Sequence, residues 1–150
     1  MVAQALHWFD LDRFYTGVNR VLKNGGVFVA SAYRFFHITP AIDEIVNRHY
    51  YKEIVGPYWP AERAQIEKFE NIPFPFPEIE TPRFEMTQQW TLRQLLGYLS
   101  TWSATQRFIA ANGRDPLDEI ESELQTAWGE TDRPRRAVWP LTLRVGRKTE

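Results

Sequence analysis

The chain has 150 residues, 43% of them apolar and 15% aromatic, enough to build one domain around a hydrophobic core. A net charge of -1 without a large basic block argues against a nucleic-acid groove or an anionic membrane surface, and the absence of cysteine removes disulfides, thiolate metal sites and a cysteine nucleophile. No apolar run approaches the roughly 18 residues that span a bilayer, and the first residues lack the basic start of a signal peptide, so the sequence reads as a cytoplasmic protein.

In chain order, Val2 to Phe9 reads as an apolar strand and is followed by a helix with Phe14, Tyr15, Val18, Val21 and Leu22 on one face. Asp10 or Asp12 can cap its start, and Asn24-Gly25 supplies a left-handed stop. Val27 to Ala32 is apolar on both faces, as in a strand buried between helical layers, so the unit should be right-handed and parallel. In open parallel sheets ligands sit beyond the carboxyl ends of the strands, which draws attention to Gln4 to Trp8 and Tyr33 to His37.

Thr39-Pro40 has the signature of a helix start, with Ile42, Ile45, Val46, His49 and Tyr50 on one face and Gly56-Pro57 as the stop. A short helix opens at Trp59-Pro60, with Ala64, Ile66 and Phe69 as its apolar positions, and the prolines at 73, 75, 77 and 82 make Asn71 to Pro82 an extended connector. Residues 34–82 are long for a plain strand-to-strand connection and read as a cap over a site. Arg83 to Thr87 alternates as a strand with Phe84 and Met86 on one face. Thr91 to Gln94 is a capping box that opens a helix burying Leu92, Leu95, Leu96 and Leu99, and Ser103 to Gln106 repeats the signal for a helix ending at Asn112-Gly113. Asp115-Pro116 starts a third helix, with Leu117, Ile120, Leu124 and Trp128 inward and Gly129 as its stop. Trp139, Leu141, Leu143 and Val145 alternate with Pro140, Thr142 and Arg144 in a last strand buried on one face.

The chemistry-bearing residues are few. His7, at the carboxyl end of the first strand beside Trp8, either lines a site or packs under the first helix, whereas His37 and His49 read as structural or exposed. The spacing of His, Asp and Glu gives no metal-ligand pattern, and there is no Gly-x-Ser-x-Gly elbow. Gly25-Gly26 follows a helix and precedes a strand, the reverse of a phosphate loop, and Arg133, Arg135 and Arg136 read as a solvated strand entrance. The aromatics of the cap, with Trp90, Tyr98 and Trp102, read mainly as core and secondarily as the roof of an apolar pocket.

Val2 to Asp10, the helix after it, Arg20 to Phe28, the block Gln89 to Ser103 and the terminal Val138-Trp-Pro-Leu strand resemble the C-terminal half of class I S-adenosylmethionine-dependent methyltransferases, most closely the small-molecule branch of trans-aconitate methyltransferase-like enzymes. The resemblance implies a partial Rossmann-like α/β sheet holding the fourth to seventh strands, the last antiparallel, with a helical substrate cap and residues 1–150 as a single partial domain. It implies S-adenosyl-L-methionine as cofactor of the complete enzyme and a small molecule as methyl acceptor. Gln4 and Ala5 would lie near the methionine part of the cofactor, and His7, Trp8, Tyr33 and Arg34 would face the acceptor. No catalytic base carries over, and the family's glycine-rich turn and ribose-binding carboxylate have no counterpart before Met1. The complete enzyme would thus be a methyltransferase of which this chain is a part. A truncated, non-catalytic interaction module and an apolar-ligand binding protein are the rival readings. A first strand left at the sheet edge, with no charge or proline from Val2 to Phe9, implies a homodimer formed through it.

Overall fold

The structure, a computed structural model, describes residues 1–33, 35–61, 63 and 69–149. Its strands are β1 (Val2–Ala3), β2 (Val27–Tyr33), β3 (Phe84–Trp90) and β4 (Arg135–Arg147). Its α-helices are α1 (Leu11–Val21), α2 (Pro40–Asp43), α3 (Leu92–Ser100), α4 (Ser103–Asn112) and α5 (Glu121–Trp128). The strands form one open sheet in the order β1-β2-β4-β3, with β1 parallel and β4 antiparallel to β2. This is the mixed α/β architecture the sequence implied, with its last strand antiparallel. Backbone contacts divide the chain into two compact units, Met1–Arg34 with Glu62–Met86 and Pro140–Glu150, and Phe35–Ala61 with Thr87–Trp139. The stretch read as one cap, 34–82, therefore contributes to both. No helix among the described residues is long and apolar enough to cross a membrane.

In the first unit, Asp10 caps α1 by accepting a hydrogen bond from the Arg13 amide at 3.1 Å. The helix lays Tyr15 and the half-buried Phe14 and Val18 on a core of Leu6, Phe28, Ala30, Ala32, Phe69, Ile72 and Phe76. It ends at an extended Leu22 rather than at a glycine, and Gly25, at φ 75°, instead turns the chain into β2. β2 alternates: Phe28, Ala30 and Ala32 are buried, while the opposite face, which includes Ser31 and Tyr33, is only half covered and Val27 is exposed. The two-sided burial expected of this strand is corrected accordingly.

Arg144, expected to face outward, is buried. Its Nε donates to Glu78 Oε2 at 3.1 Å and Nη2 to Glu78 Oε1, Nη1 donates to the carbonyls of Phe69 and Ile72, and the guanidinium lies 4.5 Å from the centre of the Phe74 ring. The proline-rich connector runs beside β4, with the Ile79 amide donating to Val145 O at 2.7 Å and the Arg147 amide to Pro77 O at 3.1 Å. Gly146 permits that approach, since a Cβ there would stand 2.7 Å from both Phe74 and Phe76.

In the second unit, Thr39 and Pro40 start α2 as read, the Thr39 hydroxyl accepting from the Ile42 amide. The helix does not keep its 3.6-residue period: Glu44–Ile54 is π-helical, and the Val55 amide reaches back five residues to Tyr50 O at 3.0 Å. The wider turn buries Val46, Tyr50, Tyr51 and Val55 and turns Ile45 and His49 partly outward. Tyr50 bonds Thr105 Oγ1 at 2.8 Å, Thr105 donates to Leu99 O, and burial pushes the phenol up to about 12. The capping box at Thr91 is present, but Ser103 lies inside α4, where Trp102 holds the cap position and Gln106 donates to Ser100 O. α5 starts later than read, because Pro116–Glu119 is a separate 3₁₀ turn capped by Asp115. Arg135 is not simply solvated, since its guanidinium donates to Trp128 O at 2.6 Å and lies over the Trp128 ring. Phe84 and Met86 on one face of β3 are 51% and 38% exposed, β3 being the outermost strand of the sheet.

Replacing Arg144 by leucine should lower stability by about 2–4 kcal/mol, the usual cost of breaking a buried charged network and orphaning its acceptors. Glu78→Gln should cost much less, because the Glu78 side chain is 48% exposed and water screens its half of the pair. The hydrogen bond from Arg144 holds the Glu78 carboxyl below its ordinary 4.5. Its contribution is therefore present above that value and lost as pH falls through the lower folded-state value. Urea titrations across this acid range should show a shallower loss in Glu78→Gln than in the parent, and equal slopes would remove Glu78 from the acid response.

Candidate functional site

The parallel pair β1 and β2 ends in a built turn. Val2 pairs with Ala30 and Ala3 with Ser31, and the Gln4 amide adds one more bond to Ser31 O at 2.8 Å. There the chain leaves the sheet, because Gln4 takes φ 50°, a left-handed conformation uncommon outside glycine. Its side chain compensates: Oε1 accepts from the Tyr33 amide at 2.9 Å and Nε2 donates to Tyr33 O at 3.1 Å. One carboxamide thus fastens the carboxyl ends of both strands. The apolar strand read from Val2 to Phe9 is corrected to two residues followed by this turn and a 3₁₀ turn, Leu6–Trp8, which leads into the Asp10 cap.

Within the 3₁₀ turn the side chains split between inside and outside. Leu6 and His7 are buried, at 1% and 4% exposure, while Trp8 is 56% exposed. The His7 and Trp8 rings lie 5.0 Å apart, tilted by 47°. His7 Nδ1 is enclosed and meets no hydrogen-bond partner among the described residues. Burial, and secondarily the charge of Arg63, hold the imidazole below its ordinary 6.5, so it is neutral at pH 7.

Gln4, Ala5, His7, Trp8 and Tyr33 therefore come together at the strand ends, and Arg34 lies outside the described residues. Gln4 has both ends of its carboxamide engaged by Tyr33, which makes it a positioning group for the turn. Arg63 was missed in the sequence, since nothing local in the segment after Trp59-Pro60 links it to His7 and only the folded chain brings its charge near. Elsewhere, His37 Nδ1 lies 3.1 Å from Asp43 Oδ2, and Asp43 also accepts from the Ile38 amide. His49, 3.6 Å from Glu123, lines a cleft of ≈ 290 Å³ with Glu44, Ile45, Arg48 and Glu53. No group of three or more His, Asp or Glu among the described residues is arranged to hold a metal ion.

No family model matches the chain. A protein of Dictyostelium discoideum described as "Putative methyltransferase" is 34% identical over 153 residues, covering 98% of this chain and 58% of that protein. A solved structure of a "Putative Type II Methyltransferase" from Anaeromyxobacter dehalogenans matches with a TM-score of 0.88 at 43% identity, over 97% of this chain and 62% of that one. Over nearly its whole length the chain is homologous to these two proteins. Its open α/β sheet is accordingly a Rossmann-like methyltransferase sheet. The chain spans about three fifths of the length of each of these relatives.

Gln4→Ala in this methyltransferase homologue should cost about 1–3 kcal/mol, because it strands the Tyr33 amide and carbonyl and leaves a Cβ in a left-handed backbone. Gln4→Gly loses the same hydrogen bonds without the backbone strain and should be the milder change. Chemical denaturation of both variants checks the order; a reversed order would mean that the φ of Gln4 carries no strain.

Proposed function

We propose that this chain forms part of an S-adenosyl-L-methionine-dependent methyltransferase acting on a small molecule, with the strand-end turn as its contribution to the site. The observation that carries the reading is the Gln4–Tyr33 clamp at the carboxyl ends of two parallel strands, where open α/β sheets take their ligands, with an exposed indole directly beside it. Bound there, S-adenosyl-L-methionine would supply an electrophilic methyl group on a sulfonium sulfur. The residues present fit one side of such a group: Trp8 offers a ring face to a cation or a base, and Gln4 fixes the backbone at Ala5. Gln4 and Ala5 would stand near the methionine part, and His7, Trp8, Tyr33 and Arg34 near the acceptor.

Methyl transfer asks the protein chiefly to align the acceptor, to exclude water, and to remove a proton where the acceptor's pKa is high. A rigid turn at the strand ends serves the first two. The balanced charge of the chain favours a small acceptor, taken on a carboxylate or hydroxyl oxygen, over a nucleic acid. Absence of cysteine supports a cytoplasmic setting.

We also propose that the 150-residue chain self-associates as a homodimer through β1, which has β2 as its neighbour in the sheet and carries no charge at Val2 or Ala3. Light scattering at tens of micromolar should show a dimer that reverts to monomer when lysine replaces Ala3. A monomer in both cases removes this proposal.

The 150-residue chain alone should bind S-adenosyl-L-methionine weakly or not at all, because the glycine-rich turn and ribose-binding carboxylate have no counterpart in it. Calorimetry should show no micromolar affinity, which corresponds to about 8 kcal/mol. Supplied with the remaining segment of the Anaeromyxobacter relative, it should bind the cofactor and show methyl transfer that Trp8→Ala reduces at least tenfold. An assembled protein that binds no cofactor would leave the non-catalytic interaction module as the better reading.

A further inference from the structure

His7 is nine-tenths buried, and nothing among the described residues pairs with its Nδ1. Two protonation patterns are open to a neutral ring. A proton on Nδ1 would place a donor in an enclosed space without an acceptor, the rarer and costlier kind of orphan. A proton on Nε2 leaves only a lone pair enclosed. Nε2 is not among the enclosed, unpartnered atoms, so the donor would then face the ring's remaining opening.

The surroundings also argue against a base. A histidine that takes protons is ordinarily held by a carboxylate or carbonyl on its second nitrogen, which fixes the tautomer and stabilises the imidazolium. His7 has no such partner at Nδ1 among the described residues. Among the described residues the charge that acts on it is the Arg63 cation, which works with burial against a positive charge on the ring. A positive field and an N–H donor together suit an anionic oxygen.

We propose that His7 donates a hydrogen bond through Nε2–H to a carboxylate held at the end of β1, and that it is not the base that deprotonates the methyl acceptor. The proposal rests on the strand ends being the ligand site. The carboxylate has two possible sources, the amino-acid end of the cofactor and the acceptor itself.

Nitrogen-15 spectra of the histidine-labelled chain, assembled with the unlabelled remaining segment of the Anaeromyxobacter relative, test it, with the His7 signals assigned by their loss in His7→Gln. The free protein should show His7 as the Nε2–H tautomer. At millimolar concentration, S-adenosyl-L-homocysteine or succinate should shift the Nε2–H resonance, and 5′-methylthioadenosine, which lacks the carboxylate, should not. A shift with the first probe alone assigns the carboxylate to the cofactor, and a shift with succinate alone assigns it to the acceptor. His7→Gln, which keeps an N–H near the place of Nε2, should bind the active probe within about threefold of the parent, and His7→Leu about tenfold more weakly, the worth of one charge-assisted hydrogen bond. An Nδ1–H tautomer, a His7 signal that neither carboxylate moves, or equal losses in the two variants overturns the proposal. If calorimetry detects S-adenosyl-L-homocysteine while the His7 signals stay still, the inference falls and the methyltransferase reading stands.

Discussion

The ladder between β2 and β4 is the constraint on which the first unit depends. It runs without interruption from Val27 opposite Arg147 to Tyr33 opposite Leu141. A two-residue strand such as β1 could not hold a register alone, since a pair of short strands is marginal in water. It holds here because β2 is already fixed on its other side, so Ala30 and Ser31 present a rigid edge to Val2 and Ala3. The same ladder sets the backbone of Tyr33, and the Gln4 carboxamide then hooks onto a group that does not move. The candidate site therefore inherits its geometry from a strand pairing with the far end of the sequence.

The proline-rich connector poses the complementary problem. Prolines remove amide donors from the segment while every residue keeps its carbonyl, so the connector enters the core with surplus acceptors. The donors come from elsewhere: the Tyr15 hydroxyl on Pro73 O at 2.6 Å, the Arg147 amide on Pro77 O, and the Arg144 guanidinium on the carbonyls of Phe69 and Ile72. A buried arginine is ordinarily a poor source of stability. It is tolerated here because its donors meet two carbonyls and a carboxylate, and its face meets the Phe74 ring. This explains why β4 breaks its alternation: Ala137 and Trp139 are buried at odd positions, then Arg144 and Gly146 at even ones, with Pro140 between.

Much of this was legible in the sequence where the cause was local. The caps at Asp10, Thr39 and Thr91 and the left-handed glycines 113 and 129 each work through atoms within a few residues, and each was read correctly. The resemblance of whole blocks to methyltransferases was borne out by both relatives. What escaped depended on distant partners. Glutamine is not a turn residue by propensity, so nothing announced that Gln4 would end β1; the cause is Tyr33, 29 residues away. The π-helix kept enough apolar residues at helical spacing to pass for an α-helix. The alternation that puts Phe84 and Met86 on one face does not say whether anything packs over an outer strand, and both are exposed.

The departures from local rules within this turn lie close together. A left-handed glutamine costs on the order of 1–2 kcal/mol against an ordinary conformation, and an unpaired, enclosed imidazole nitrogen costs about as much again. Gln4 and His7 lie three residues apart, beside an indole left in solvent although apolar burial would favour tucking it in. A turn selected for stability alone would replace each of them: glycine for the left-handed residue, an aliphatic side chain for the buried ring, a polar one for the exposed ring. Strain of this kind persists where the surrounding structure over-determines it and where a function uses it. The carboxamide clamp supplies the first condition, since it ties the turn to a strand that cannot yield. A ligand at the strand ends would supply the second, by covering Trp8 and accepting from Nε2–H of His7, the orientation that the enclosed Nδ1 imposes on the ring.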